Sequence, residues 1–173
     1  EKTEASDLEN AITAKTAAIF WFQGVMNKPT ELALKDVIAI ANKTNIPVIV
    51  DAAAQLPPVS NLWKFTQMGA ALAIFSGGKD LAGPQSSGLV LGRKDLINII
   101  RMHGAPNHSV GRPLKVGKEE MLGLLAAVER YLNLDHEARA QIFEARVKFW
   151  NEGLAGIEGV NAKRDYPNEA GQP

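Results

Sequence analysis

Three residues with ligand-binding or reactive side chains close strand-like stretches of this chain. Asp51 ends IPVIVD (46–51), Ser76 follows ALAIF (71–75), and Lys79 sits in the small-residue turn SGGKD (76–80). A lysine placed among glycines between two apolar runs suits either a bound phosphate or a reaction at its amine. The phosphate-loop reading fails on spacing. A Walker A motif needs G-x-x-x-x-G-K-[ST], yet Gly78-Lys79 is followed by Asp80, and Ala73 stands where the first glycine belongs. The plainer alternative stays open at this level: Asp51 caps a turn, Lys79 is solvated and the glycines reverse the chain.

The elements that must position these residues follow from hydrophobic patterning. AAIFWF (17–22), IPVIVD (46–51), ALAIF (71–75) and GLVLG (88–92) read as short buried strands. SDLE (6–9) fits a capping box and predicts a short helix starting at Ser6. Thr30 is the expected cap of a helix whose face carries Leu32, Leu34, Val37, Ile38 and Ala41. A weaker helix is expected over 61–68, and others over 94–101, 118–133 and 135–152. Apolar strands alternating with helices predict a mostly parallel sheet covered on both faces. In such sheets ligands bind outside the carboxyl ends of the strands, where Asp51, Ser76 and Lys79 would meet at one rim.

VDAAAQ (50–55) and FSGGK (75–79), in that order and at matching strand ends, resemble the fold type I enzymes that use pyridoxal 5′-phosphate. GGKDLAGPQSSGLVLGRKDLI (77–97) and GRPLKVGKEEMLGLLAAVERYL (111–132) are similar to the family that includes bacterial seryl-tRNA selenium transferase and D-glucosaminate-6-phosphate ammonia lyase. DAAAQLPP (51–58) looks closer to the ammonia-lyase branch. The sequence departs from the family pattern at Ala71 and Ala82, where an acid and a base are common.

This resemblance implies an α/β fold. Residues 1–112 would be the second half of a large cofactor-binding domain, and 113–173 the helices leading into a small C-terminal domain. It implies pyridoxal 5′-phosphate as cofactor, with Lys79 as the Schiff-base lysine and Asp51 as partner of the ring nitrogen. Ala53 would let the ring lie flat, Ser76 would hold the phosphate, and Gln55 and Gln85 would complete the cofactor contacts. Such a lysine must be partly neutral, which burial among apolar groups favours. The implied reaction is α,β-elimination on a hydroxy amino acid or a phosphorylated amino-sugar acid. The alternative is selenium transfer on a charged tRNA, and a third reading is a non-catalytic α/β assembly surface. A cytoplasmic homo-oligomer is the implied setting.

Composition bounds these readings. With Lys+Arg 19 against Asp+Glu 19 the chain has no net charge, which disfavours a large polyanion such as tRNA as partner. No apolar run approaches membrane length. The absence of cysteine excludes disulfides, thiolate metal sites and a cysteine nucleophile, and three scattered histidines predict no metal site. Residues 93–118 hold six Lys/Arg and one acid. A solvated basic surface is the expectation there, and Arg112, between Gly111 and Pro113, is the best anion-binding candidate within it. Gln85, Ser86 and Ser87 are either phosphate contacts or turn residues, and the three tryptophans read as core or interface anchors. The chain opens at Glu1 and stops at NEAGQP. The expectation is therefore an internal segment that by itself binds the cofactor poorly and catalyses nothing measurable.

Overall fold

The structure, a computed structural model, describes residues 3–24 and 32–164. Four strands form one sheet in the order β1 (Ile19–Phe22), β2 (Val48–Asp51), β3 (Leu72–Ser76), β4 (Gly88–Gly92). The first three are parallel, with Phe22 beside Asp51 and Asp51 beside Ile74. β4 runs antiparallel to β3, placing Gly88 beside Ser76 and Gly92 beside Leu72. A mostly parallel sheet is thus present, with one reversed edge strand.

Six helices accompany it among the described residues: α1 (Ala5–Ala11), α2 (Leu34–Lys43), α3 (Asn61–Gln67), α4 (Lys94–His103), α5 (Lys118–Leu132) and α6 (His136–Leu154). A single 3-10 turn, Arg112–Leu114, lies between α4 and α5. α1 starts one residue earlier than expected, with Glu4 as its N-cap. The carboxylate of Asp7 accepts the backbone N–H of Glu4 at 2.8 Å, because Asp7 lies one turn on and its short side chain reaches back. The expected cap at Thr30 lies outside the described residues. α2 ends where Asn45 takes a left-handed conformation (φ 59), which asparagine tolerates better than most residues, and the Ile46 N–H returns to the Ala41 carbonyl.

The core lies on one side of the sheet. Val48, Val50, Ala73 and Phe75 pack with Val37, Ile38 and Ala41 of α2, with Leu62 and Phe65 of α3, and with Tyr131 of α5. Cutting Phe65 or Phe75 back to alanine would cost about 3–5 kcal/mol. The expectation of two covered faces needs correcting. Residues paired in register share a face, and the face carrying Phe20, Phe22, Ile49, Asp51 and Ile74 is only partly covered: Phe20 and Phe22 are each 62% exposed.

The helices after residue 112 also differ from their pattern. α5 reads as a strong amphipathic helix, yet only Ala127 and Tyr131 are fully buried, and Leu122 and Leu125 stay exposed. Of the three tryptophans read as core or interface anchors, Trp63 and Trp150 are exposed and lie outside the core, while Trp21 packs partly against it. No helix among the described residues is long and apolar enough to cross a membrane.

Candidate functional site

Parallel pairing of β2 and β3 brings their carboxyl ends together. The Ala53 N–H donates to Asp51 Oδ1 at 3.0 Å, and the Ser76 N–H points to the Ala53 carbonyl at 3.4 Å. Asp51, Ala53 and Ser76 thus form one connected rim, half-buried, with Asp51 and Ser76 on the partly covered face of the sheet. Lys79 is exposed in the turn that leaves β3. Its ammonium has no hydrogen-bond or ion-pair partner among the described residues, while its carbonyl accepts the Ala82 N–H at 2.8 Å.

Gln55 lies below this rim, fully buried. Its Nε2 donates to the Gln23 carbonyl at 2.8 Å, tying the segment after β2 to the segment after β1. Its Oε1 is buried without a hydrogen-bond partner. Such a group is costly to bury and calls for a ligand or water.

The Lys79 turn is braced from the far side of the loop. Gln85 Nε2 donates to the Gly78 carbonyl at 3.0 Å, the Gly77 N–H donates to the Ser87 carbonyl at 2.9 Å, and Ser87 Oγ donates to the Pro84 carbonyl at 2.6 Å. This close packing accounts for the glycines. A Cβ on Gly77 would sit 2.0 Å from Ser87 Oγ, and one on Gly78 would sit 2.6 Å from the Gln85 Cα. Gln85 and Ser87 therefore brace the turn; Gln85 and Ser86 are both exposed, and only Ser87 is buried.

Sequence reasoning missed the residues that anchor the turn behind the lysine. Asp80 accepts from the Tyr131 hydroxyl at 2.6 Å and from both terminal nitrogens of Arg139, at 2.9 and 3.3 Å. Arg130 adds a bond to the Leu81 carbonyl at 3.1 Å. Burial pushes the Asp80 carboxyl upward, but the bonds from Arg139 and Tyr131 outweigh it and hold the group below its usual range. Burial, and then the Asp80 carboxylate, push the Tyr131 phenol well up. The Asp80 bond raises Arg139 in turn. The one available signal was the carboxylate directly after Lys79. Nothing in the pattern of α5 or α6 marked its partners.

Arg112 makes no hydrogen bond or ion pair to the Asp51 rim among the described residues. It donates to the Pro106 carbonyl and lines an open pocket of about 500 Å³ with His108, Ser109, Pro113 and Lys115. The strand-like bridge between Gly104 and Gly111 and a 2.5 Å contact between His103 Nδ1 and Ser109 Oγ shape that segment. Two cations and a hydroxyl on one concave surface suit an anion.

The mostly parallel α/β sheet is the fold of the fold type I pyridoxal-phosphate enzymes. The pyridoxal-5′-phosphate-dependent protein YhfS from Escherichia coli shares the fold, with TM-score 0.58 and 21% identity over 88% of this chain and 40% of that one. The sequence model of the SelA family, L-seryl-tRNA selenium transferase, matches residues 1–147, and the chain belongs to that family.

Among individual relatives, a 5′-C-glycyluridine monooxygenase-decarboxylase from a Streptomyces species is 35% identical over 94% of this chain and 39% of its own length. D-glucosaminate-6-phosphate ammonia lyase from Salmonella typhimurium (strain 14028s / SGSC 2262) is 32% identical over 95% of this chain and 42% of its own length. A solved ammonia-lyase structure superposes with TM-score 0.68 at 32% identity, covering 78% of this chain and 35% of that one. The chain spans about two fifths of the length of these curated relatives.

Proposed function

We propose that this chain is the lysine-bearing part of an enzyme that uses pyridoxal 5′-phosphate for α,β-elimination on a hydroxy amino acid, a phosphorylated amino-sugar acid being the preferred substrate class. One observation carries the reading: Asp51 and Ser76 close adjacent parallel strands on the partly covered face of the sheet, joined through Ala53, with Lys79 in the next turn. The donor set fits the cofactor. A carboxylate suits the ring nitrogen, a serine at a strand end suits the phosphate, and the Ala53 methyl leaves room for a flat ring. Gln55 and Gln85 support the two walls, through the Gln23 and Gly78 carbonyls.

The cofactor, when bound, supplies an electron sink for a carbanion at the substrate's α-carbon. Lys79 would hold the cofactor through its amine, and the same amine would carry the proton taken from the substrate's α-carbon. Asp51 would pair with the ring nitrogen and keep it charged. Arg112 and its pocket receive the substrate's anionic end. In this reading residues 1–112 belong to the cofactor domain and 113–173 lead into a smaller one, in a homo-oligomer.

Two measurements on the full-length protein test it. Borohydride reduction should fix the cofactor on Lys79, read by peptide mass mapping, and a screen of hydroxy amino acids and phosphorylated amino-sugar acids should release ammonia and a keto acid. Labelling at another lysine, or at none, removes the assignment. The second reading, selenium transfer on a charged tRNA, is favoured by the family match over residues 1–147. Tight tRNA binding with a steep salt dependence would establish it over the first.

A further inference from the structure

The residue after Lys79 is a carboxylate. An acid beside a reactive lysine is a liability, since an opposite charge within about 4–6 Å favours the ammonium form, and only the neutral amine attacks a carbonyl. Here both oxygens of that carboxylate are engaged elsewhere. Oδ1 takes one Arg139 nitrogen at 2.9 Å, while Oδ2 takes the Tyr131 hydroxyl at 2.6 Å and the second Arg139 nitrogen at 3.3 Å. The holders are themselves held. Tyr131 is fully buried in the core, with the His136 ring edge-on at 4.7 Å, and the Arg139 guanidinium lies over the rings of Tyr131 and Phe143 at 5.8 and 5.5 Å. Lys79 meanwhile forms no ion pair among the described residues.

We propose that Arg139 and Tyr131 hold the Asp80 carboxylate away from Lys79, so that the lysine meets its carbonyl ligand without a neighbouring counter-ion. Both are positioning residues, acting through Asp80. The inference deepens the cofactor reading above and assigns a chemical task to α5 and α6. It also gives Arg139 a role that simple anchoring of the turn would not require: releasing Asp80 must harm Lys79, and removing the freed charge must repair it.

The test is trace acetylation of the full-length protein with acetic anhydride at neutral pH, after hydroxylamine has stripped any carbonyl cofactor. Each lysine is quantified by peptide mass mapping against the exposed Lys94 and Lys118. Arg139→Gln should lower labelling of Lys79 by up to about five-fold, the scale of a solvent-exposed carboxylate–ammonium pair. Adding Asp80→Asn to that variant should return labelling to within about two-fold of wild type. Tyr131→Phe keeps the ring and the core, and should give a smaller fall that Asp80→Asn also repairs; it decides the matter if Arg139→Gln does not fold. Unchanged labelling in the single variants overturns the proposal. So does a double variant as unreactive as Arg139→Gln, because the cluster would then only brace the turn. Acetylation needs no cofactor. A wild-type protein that traps no cofactor on Lys79, yet shows this loss and repair, overturns the cofactor reading and sustains this one.

Discussion

Asp80 and Arg139, 59 positions apart in sequence, meet in a forked ion pair that ties the turn behind Lys79 to α6. The pair is mostly withdrawn from solvent, with Asp80 and Arg139 side chains 20% and 27% exposed. It is therefore worth more than a typical surface pair.

Its pH dependence has a definite sign. The native Asp80 carboxyl titrates below its unfolded value, so its contribution is fully present above the ordinary carboxylate range and disappears as pH falls through the lowered native value. Asp80→Asn should cost about 1.5–3 kcal/mol near neutrality, the scale of hydrogen bonds to a charged group. The stability gap between the two proteins should narrow as pH drops below about 4. Denaturant melts of both proteins across that window check this.

Tyr131 should resist ionisation. Burial and the facing Asp80 carboxylate both oppose a phenolate, so its titration should be missing from an ultraviolet difference titration through the ordinary tyrosine range. The Tyr131→Phe protein should titrate like wild type until the alkaline range in which wild type unfolds.

Ala82 adopts a left-handed backbone (φ 55) in the loop that follows Lys79. That conformation costs an L-residue about 1–2 kcal/mol. Glycine removes the strain but adds about 0.4–1 kcal/mol of unfolded-state entropy. Ala82→Gly should thus be neutral to stabilising by about 1 kcal/mol, read as a rise in Tm. A clear loss of stability would mean that the Ala82 methyl makes contacts worth more than the strain.

Asp51→Asn separates holding a cofactor from using it. The variant should still yield the reduced adduct on Lys79, while turnover of the full-length protein should collapse, because the ring nitrogen loses its charge partner. Undiminished activity would take Asp51 out of the mechanism.

Much of the scaffold was legible because buried parallel strands are apolar throughout. IPVIVD and ALAIF announce themselves, and with them the strand-end positions of Asp51 and Ser76. The direction of β4 was less plain, since GLVLG reads alike in either orientation. The available sign was the connection from Ser76 to Gly88, which contains no helix to carry a parallel crossover. Which neighbours cover the second sheet face was not legible, because an apolar strand does not name its partner. The Asp80 cluster was invisible for another reason. Tyr131 occupies an apolar-face position of α5, and Arg139 looks like any helix-surface arginine until the fold brings it to the turn.

The reversal at β4 also shapes the order in which the molecule assembles. β4 leaves the Lys79 rim and ends beside Leu72, at the opposite rim of the sheet. α4 and the segment to Gly117 lie between that point and α5, whose Tyr131 returns to Asp80 across 51 positions. Closing a loop of that length is an entropic debt settled only once the intervening pieces have docked, and contacts so distant in sequence belong to the slow end of folding. The Asp80–Tyr131 contact that anchors the turn behind Lys79 therefore depends on a long loop closure, whereas the bonds from Gln85 and Ser87 to the same turn are local.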